Sequence, residues 1–537
     1  MFTFLHGYSP DTWDAMVRTG LVRKNDGIRY CQSIDIDESL KFNNLAKKGG
    51  AFYNLIKERN CPLYIDRLQG GCYIEEYDYD ENLLGAYREM LGDNFWGFQM
   101  HEWLSNYFSD INWKLSELSA EEWTAENIEK ILFEKWPGPH IFLESMNLNE
   151  IVSYGKPETE AQLYNNMTAI FKKRLQEKGD LIPCDSAFLA YPFELSCGVK
   201  RIMPEVGAQT ADARVQICYA RGMTRQDGKS FGVYYEPWGG DPFSSCMYND
   251  LKNEWGITED NFPFKTAGHN GGSSRSLQKR IFLYGYLSNA DFISEEWGVY
   301  NTFLNCEDFT LSPYGQVKKE FIDFVEKYPD VGEKLTPMAA VLPSDLNVLS
   351  NVSNDDLSCN YPCADPKMAH YKQGIRDIFT SSTEMLGSEI YTLKNSNIPD
   401  AIDLLNRNDA MLQKYQYLID LTGEEDFGTQ YHNLCQISHI PQILKATLPC
   451  YVDGGLHWMV NRCDNGGYYL TVFNHSGVER SVVEGERYLS EATQTVTLTF
   501  QNGSAPKLLE GDGILTVLES SYQLTVPAGG FAFLWFA

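Results

Sequence analysis

The chain has 537 residues, with 45 Lys and Arg against 73 Asp and Glu, a formal charge of −28. That length exceeds a single hydrophobic core and predicts roughly two to four domains. The negative field repels phosphate backbones and anionic lipid, which argues against nucleic-acid and membrane partners. Hydrophobic residues make up 43% and charged residues 22%, ordinary for a globular protein, while the 13% aromatic content suits either a large core or the stacking of sugar rings. No apolar run reaches the ~20 residues of a membrane span, and the N-terminus carries no basic, apolar leader, so a cytoplasmic location is expected. The 13 cysteines form no C-x-x-C pair and read as free thiols in a reducing compartment. Cys359 and Cys363 give only a weak metal signal. No metal and no cofactor are expected.

Over the first 330 or so residues, short apolar strands alternate with longer amphipathic segments, the rhythm of a parallel sheet. Eight strands are expected: Thr3–His6, Ile28–Ile34, Leu63–Asp66, Phe95–His101, Ala187–Tyr191, Arg201–Met203, Phe231–Tyr235 and Ala290–Ile293. The segment His140–Phe142 is held in reserve for the fifth or sixth. Between the fourth and fifth, Leu163, Met167, Ile170, Phe171 and Leu175 recur at helical spacing, and Gly179 ends that helix. Eight strands in this span predict a (β/α)8 TIM barrel over residues 1–334. From Thr336-Pro337 the texture changes. Met338–Leu342 and Tyr415–Asp420 read as buried strands and 366–379 and 400–413 as helices, a small flavodoxin-like α/β domain over 335–450. Residues 451–537 read as a β-sandwich, with strands at Tyr468–Phe473, Thr495–Phe500, Leu524–Val526 and Phe531–Phe536.

Chemistry in a barrel sits at the C-terminal strand ends. There the sequence places His6, Asp35, Asp66-Arg67, His101-Glu102-Trp103, Glu205, Tyr234-Tyr235-Glu236-Pro237-Trp238 and Glu295-Glu296-Trp297. Strand-end acids beside a cavity are costly unless paired or used, and three of these Glu residues have Trp close by. Glycoside hydrolysis requires two opposed carboxyl groups, and the fourth and seventh strands face each other across the mouth, which selects Glu102 and Glu236. Glu205, and one of Glu295 and Glu296, are the rivals for the second role; two adjacent Glu on a strand face opposite sides, so one of that pair is structural. Tyr234 shares a face with Glu236 by alternation, and Trp238 is a candidate stacking platform. Asp66-Arg67 is either an ion pair or a substrate clamp, and His6 is either a sugar contact or a satisfied strand-end histidine. His269 and Asn270 lie in a Gly-rich loop that lacks a phosphate-loop ending; polar substrate contacts followed by a helix capped by Ser274 suit it better.

Acids ending the fourth and seventh strands, in FWGFQMHEW and GVYYEPWGG, together with ADFISEEWG, resemble the clan A retaining glycoside hydrolases. The order of barrel, small α/β domain and β domain is similar to the family 42 β-galactosidases. That resemblance implies Glu102 as acid/base, with a raised pKa, and Glu236 as an ionised nucleophile. It also implies a carbohydrate substrate and a homo-oligomer (dimer or trimer) formed through the middle domain. His101 stands where such enzymes carry an Asn that bonds the sugar 2-hydroxyl, which bears on which sugar is taken. Other readings are an inverting enzyme, a glycosidase for an amino or acidic sugar, and a non-catalytic sugar-binding protein.

Overall fold

The computed structural model describes residues 2–31, 37–66, 77–104, 107, 111, 114–132, 148–185, 190–207, 213–236, 274–296, 302–305, 307–346, 366–385, 391–395, 398–481, 485–501, 503–519 and 521–537. Eight parallel strands close into a barrel in sequence order: β1 (Thr3–Gly7), β2 (Gly27–Cys31), β3 (Leu63–Asp66), β4 (Phe95–His101), β5 (Leu181–Asp185), β6 (Arg201–Gly207), β7 (Ser230–Glu236) and β8 (Phe292–Glu295). A helix follows each strand, ending with Pro313–Lys327 after β8. The strands are buried on both faces, as parallel barrel strands must be. One face, with Phe4, Tyr235 and Ile293, packs on the helices; the other, with Leu5, Tyr64, Trp96, Ile182, Cys184, Met203, Tyr234 and Phe292, fills the barrel. This is a TIM barrel followed by β-rich domains.

Three strand and helix expectations are corrected. The fifth strand is Leu181–Asp185; within the expected Ala187–Tyr191 strand, residues 190 and 191 open the helix Ala190–Cys197 instead. Pro183 masked the true strand, because proline removes a ladder donor and is disfavoured inside sheets. The helix keeps Ala190, Tyr191, Phe193, Glu194, Leu195 and Cys197 all buried, so it lacks the polar face that identifies a helix in sequence. The reserve segment 140–142 lies outside the described residues. Residues 400–413 are not one helix but the buried strand Ile402–Asn406 and the short helix Asp409–Leu412. The eighth strand runs to Glu295, two residues past its expected end. Because β5 was displaced rather than invented, the numbering of β4, β6, β7 and β8 is unchanged.

The long helix before β5 runs Glu160–Lys178, with a capping box between Thr159 and Gln162 and left-handed Gly179 as its end. In β4, Gly97 has φ +84, where the register against β3 shifts; a Cβ there would lie 2.0 Å from Asp180 O. This bulge sets which residues at the end of β4 turn inward.

After the barrel, Met338–Leu342 lies between Ile402–Asn406 and Tyr417–Asp420 in a parallel three-stranded sheet. The order, second-first-third, is that of the first three flavodoxin strands. Two larger antiparallel sheets, of four and five strands, follow, beside the two-stranded pairs Thr380–Met385 with Tyr391–Asn395 and Val478–Ser481 with Gly485–Tyr488. Phe500 of the four-stranded one meets Phe536 of the five-stranded one with ring centroids 4.7 Å apart. The edge strand of the latter is β9 (Glu333–Lys334), which directly follows the barrel and pairs with Asn461 and Arg462. Arg221 on the barrel helix Ala213–Asp227 binds Asp403 at 2.6 Å, and Arg225 binds the same carboxylate at 2.7 Å. No helix among the described residues is long and apolar enough to cross a membrane.

Candidate active site

The site is built from inward positions two residues apart on successive strands. β4 contributes Gln99 and His101, β5 contributes Cys184, and β6 contributes Glu205. Tyr234 comes from β7 and Ser294 from β8. Parallel register sets His101 beside Cys184, Cys184 beside Met203, and Glu205 beside Tyr234. Beneath them, Tyr64 and Ser294 hydroxyls bond at 2.8 Å inside the barrel. Arg29 lies with its guanidinium carbon 5.1 Å from the Tyr234 ring centre and donates to Glu295 O.

His101 is the hub. Its Nδ1 is 3.2 Å from Gln99 Nε2. An amide nitrogen can only donate, so Nδ1 accepts and the ring proton of the neutral histidine sits on Nε2. That edge faces Glu205 Oε1 at 3.7 Å and Glu102 Oε2 at 3.8 Å, too long for hydrogen bonds and close enough for a charge to be felt. Glu205 is buried, whereas the Glu102 side chain is 28% exposed. Glu102 has φ +46, the left-handed region that a non-glycine residue rarely occupies, and its backbone N–H bonds Cys184 O at 2.6 Å. Cys184 is fully buried, and burial, then Glu205, push its thiol well above the usual range. One helix further on, burial and Asp185 likewise raise the carboxyl of Glu194, which favours its neutral form.

Other expected positions fall differently. His6 points to the helix side, fully buried, with its ring 4.6 Å from Phe4 and Nε2 3.2 Å from Asp26. It therefore sits among the helix-side core, held on one edge by Asp26, and does not face the barrel interior. Trp103 is buried and stacks on Tyr107 with ring centroids 5.1 Å apart, so it fills the core and offers no platform. Of the adjacent pair, Glu295 is the structural acid, bound to Lys318 and, at 2.9 Å, by Tyr314. Glu296 is buried just past β8, its N–H on Tyr235 O at 2.9 Å. Glu236 and Asp66 end β7 and β3, but their side chains lie outside the description, as do Asp35, Arg67, Trp238, His269, Asn270 and Trp297. Ser274 caps its helix as expected, accepting from Leu277 N at 2.9 Å. Sequence reading missed Gln99, Arg29 and Cys184. Alternation with His101, already chosen, was the signal that could have found Gln99, whereas Cys184 lies on the strand that was misplaced.

No protein-family model and no curated protein matches the chain. Among solved structures, it is similar to a catalytic mutant of a GH42 beta-galactosidase from G. stearothermophilus, with 7% identity, 100% of this chain and 98% of the other covered, and a TM-score of 0.47. A polyextremophilic beta-galactosidase from the Antarctic haloarchaeon Halorubrum lacusprofundi gives 9%, 99% of each chain and 0.38. A family 30 subfamily 8 xylanase from Clostridium acetobutylicum gives 7%, 100% and 95%, and 0.34. At these identities and scores the likenesses carry no assignment of residues; the barrel rests on its own strand order.

Proposed function

We propose that this protein is a retaining β-glycosidase acting on a small oligosaccharide or glycoside, with Glu102 as acid/base and Glu236 as nucleophile. The observation that carries this reading is Glu102, the residue directly after β4. It is a partly exposed carboxylate on a left-handed backbone, held by Cys184 O and beside His101. Backbone conformations of this kind cost about 1–3 kcal/mol and persist where the surroundings over-determine them, often at sites of chemistry. Glu236 ends β7, three strands round the closed barrel.

In the first step Glu102 protonates the leaving oxygen while Glu236 attacks the anomeric carbon, giving a covalent glycosyl-enzyme. In the second, Glu102 takes a proton from water, which attacks the same carbon and releases Glu236. Retention requires the two carboxyl groups about 5–5.5 Å apart. His101 and Glu205 present a hydrogen-bond donor and an acceptor on the inward face, suited to vicinal sugar hydroxyls, and Tyr234 and Glu296 extend the polar rim.

A panel of nitrophenyl glycosides tests the reading with wild type, Glu236→Ala and Glu102→Ala. Cleavage of one glycoside, with azide restoring turnover of Glu236→Ala as a glycosyl azide of inverted configuration, is the expected result. Unchanged turnover in Glu236→Ala would move the nucleophile to Glu205 or Glu296.

A further inference from the structure

We propose that His101, Cys184 and Glu205 form a binding site for one thiophilic divalent cation of the zinc class on the inward face of the barrel, whose occupancy would take His101 Nε2 and Glu205 away from the sugar contacts of the glycosidase reading. Among the described residues these three form a group whose ligand atoms, one from each, lie within 4.8 Å of one another, and all three are buried. A tetrahedral zinc with bonds of ~2.0–2.3 Å holds its ligands roughly 3.3–3.6 Å apart, so side-chain movements of about 1 Å complete the site. The 3.7 Å between His101 Nε2 and Glu205 Oε1 is already near that value.

The donors come from three consecutive barrel strands, whose register fixes His101 beside Cys184. They supply one imidazole, one thiolate and one carboxylate, a set that suits zinc and leaves a fourth position open. Glu102 Oε2, 3.8 Å from His101 Nε2, borders that position.

A second observation concerns the residue behind the histidine. Gln99 is fully buried, and its Oε1 has no hydrogen-bond partner among the described residues. A metal on His101 Nε2 requires the ring proton to move to Nδ1. A half-turn of the Gln99 amide then brings the idle Oε1 to Nδ1–H, at the 3.2 Å now held by Nε2, without breaking any bond to that oxygen. A metal-bound histidine ordinarily donates its other N–H to just such a carbonyl.

The test is cobalt titration of the full-length, chelator-treated protein, followed by near-ultraviolet absorption. A thiolate-to-cobalt charge-transfer band that saturates at one equivalent is expected in wild type. Cys184→Ser is nearly isosteric and should abolish the band, while Glu205→Gln should weaken cobalt binding about 10- to 100-fold. Matching far-ultraviolet dichroism of the metal-free proteins guards against unfolding. A wild type without the band at 1 mM cobalt, or a band undiminished in Cys184→Ser, overturns the proposal. Neither result touches the glycoside assay, which is run in the presence of chelator.

Discussion

A single side chain can be tied to its chemistry at Glu102. Glu102→Gln keeps the shape and removes the titrating proton, so kcat should fall about 10²- to 10⁴-fold. The loss should be smallest for aryl glycosides whose leaving group departs unprotonated; kcat measured against leaving-group pKa checks this. His6 makes the opposite point, since its work is structural. Burial, then Lys318, lower its pKa to about 4, and Asp26 only partly opposes them. Against its own burial, Asp26 is held down to about 2 by His6 and Arg23. Burial also lowers His457 to about 4. Each histidine is neutral in the fold and takes up a proton below about pH 6.5 once unfolded. Stability is therefore fully present above that value and is lost as pH falls towards 4. Urea melts at pH 7 and pH 5 should differ by about 2 kcal/mol for each such histidine. His6→Gln should remove one share of that difference.

At the scale of elements, β4 depends on its bulge. Gly97→Ala would put a Cβ against Asp180 O in a left-handed backbone, so a loss of about 2–3 kcal/mol is expected, with weaker activity than the stability loss alone explains. Tm and kcat/KM measured together separate the two effects. The elements also show what sequence can carry. Alternation and strand-end residues made β4, β6 and β7 legible, and with them the positions of His101, Glu102, Glu205 and Tyr234. Local pattern failed where tertiary burial overrides it. Leu181–Asp185 contains a proline, the helix Ala190–Cys197 is buried on most of its surface, Glu194 included, and Ile402–Asn406 is a strand whose five residues are all buried. Nor does sequence say which way a strand-end residue turns. His6 and Trp103 pack into the helix-side core, whereas Gln99 and Cys184, which the sequence reading did not single out, are buried on the inward face of the barrel.

Across the whole molecule, barrel and middle sheet are joined by buried charge. Asp403 is fully buried, and although burial raises its pKa, Arg221 and Arg225 hold it below the usual range. Asp403→Asn would remove the close partner of the buried Arg221 guanidinium, leaving it Asp400 at 3.8 Å, and should cost about 3–5 kcal/mol, seen as a lower denaturant midpoint. Replacing Arg221 and Asp403 together with apolar residues should recover part of that loss. Close packing adds a steric constraint at the same contact. A Cβ on Gly222 would lie 2.1 Å from Leu404 O, so barrel helix and sheet strand meet where only glycine allows it.

The dipeptide strand β9 has a consequence in time. Lys334 is buried against Asp400 at 2.9 Å, and its strand pairs with Asn461 and Arg462. During synthesis those partners emerge long after it. At 5–20 residues per second the ribosome needs roughly 6–25 s to travel from Lys334 to Asn461. Asp400, 66 residues on, can take up the ammonium in about half that time, but the strand at the exit of the completed barrel stays unmatched until Asn461 and Arg462 have emerged.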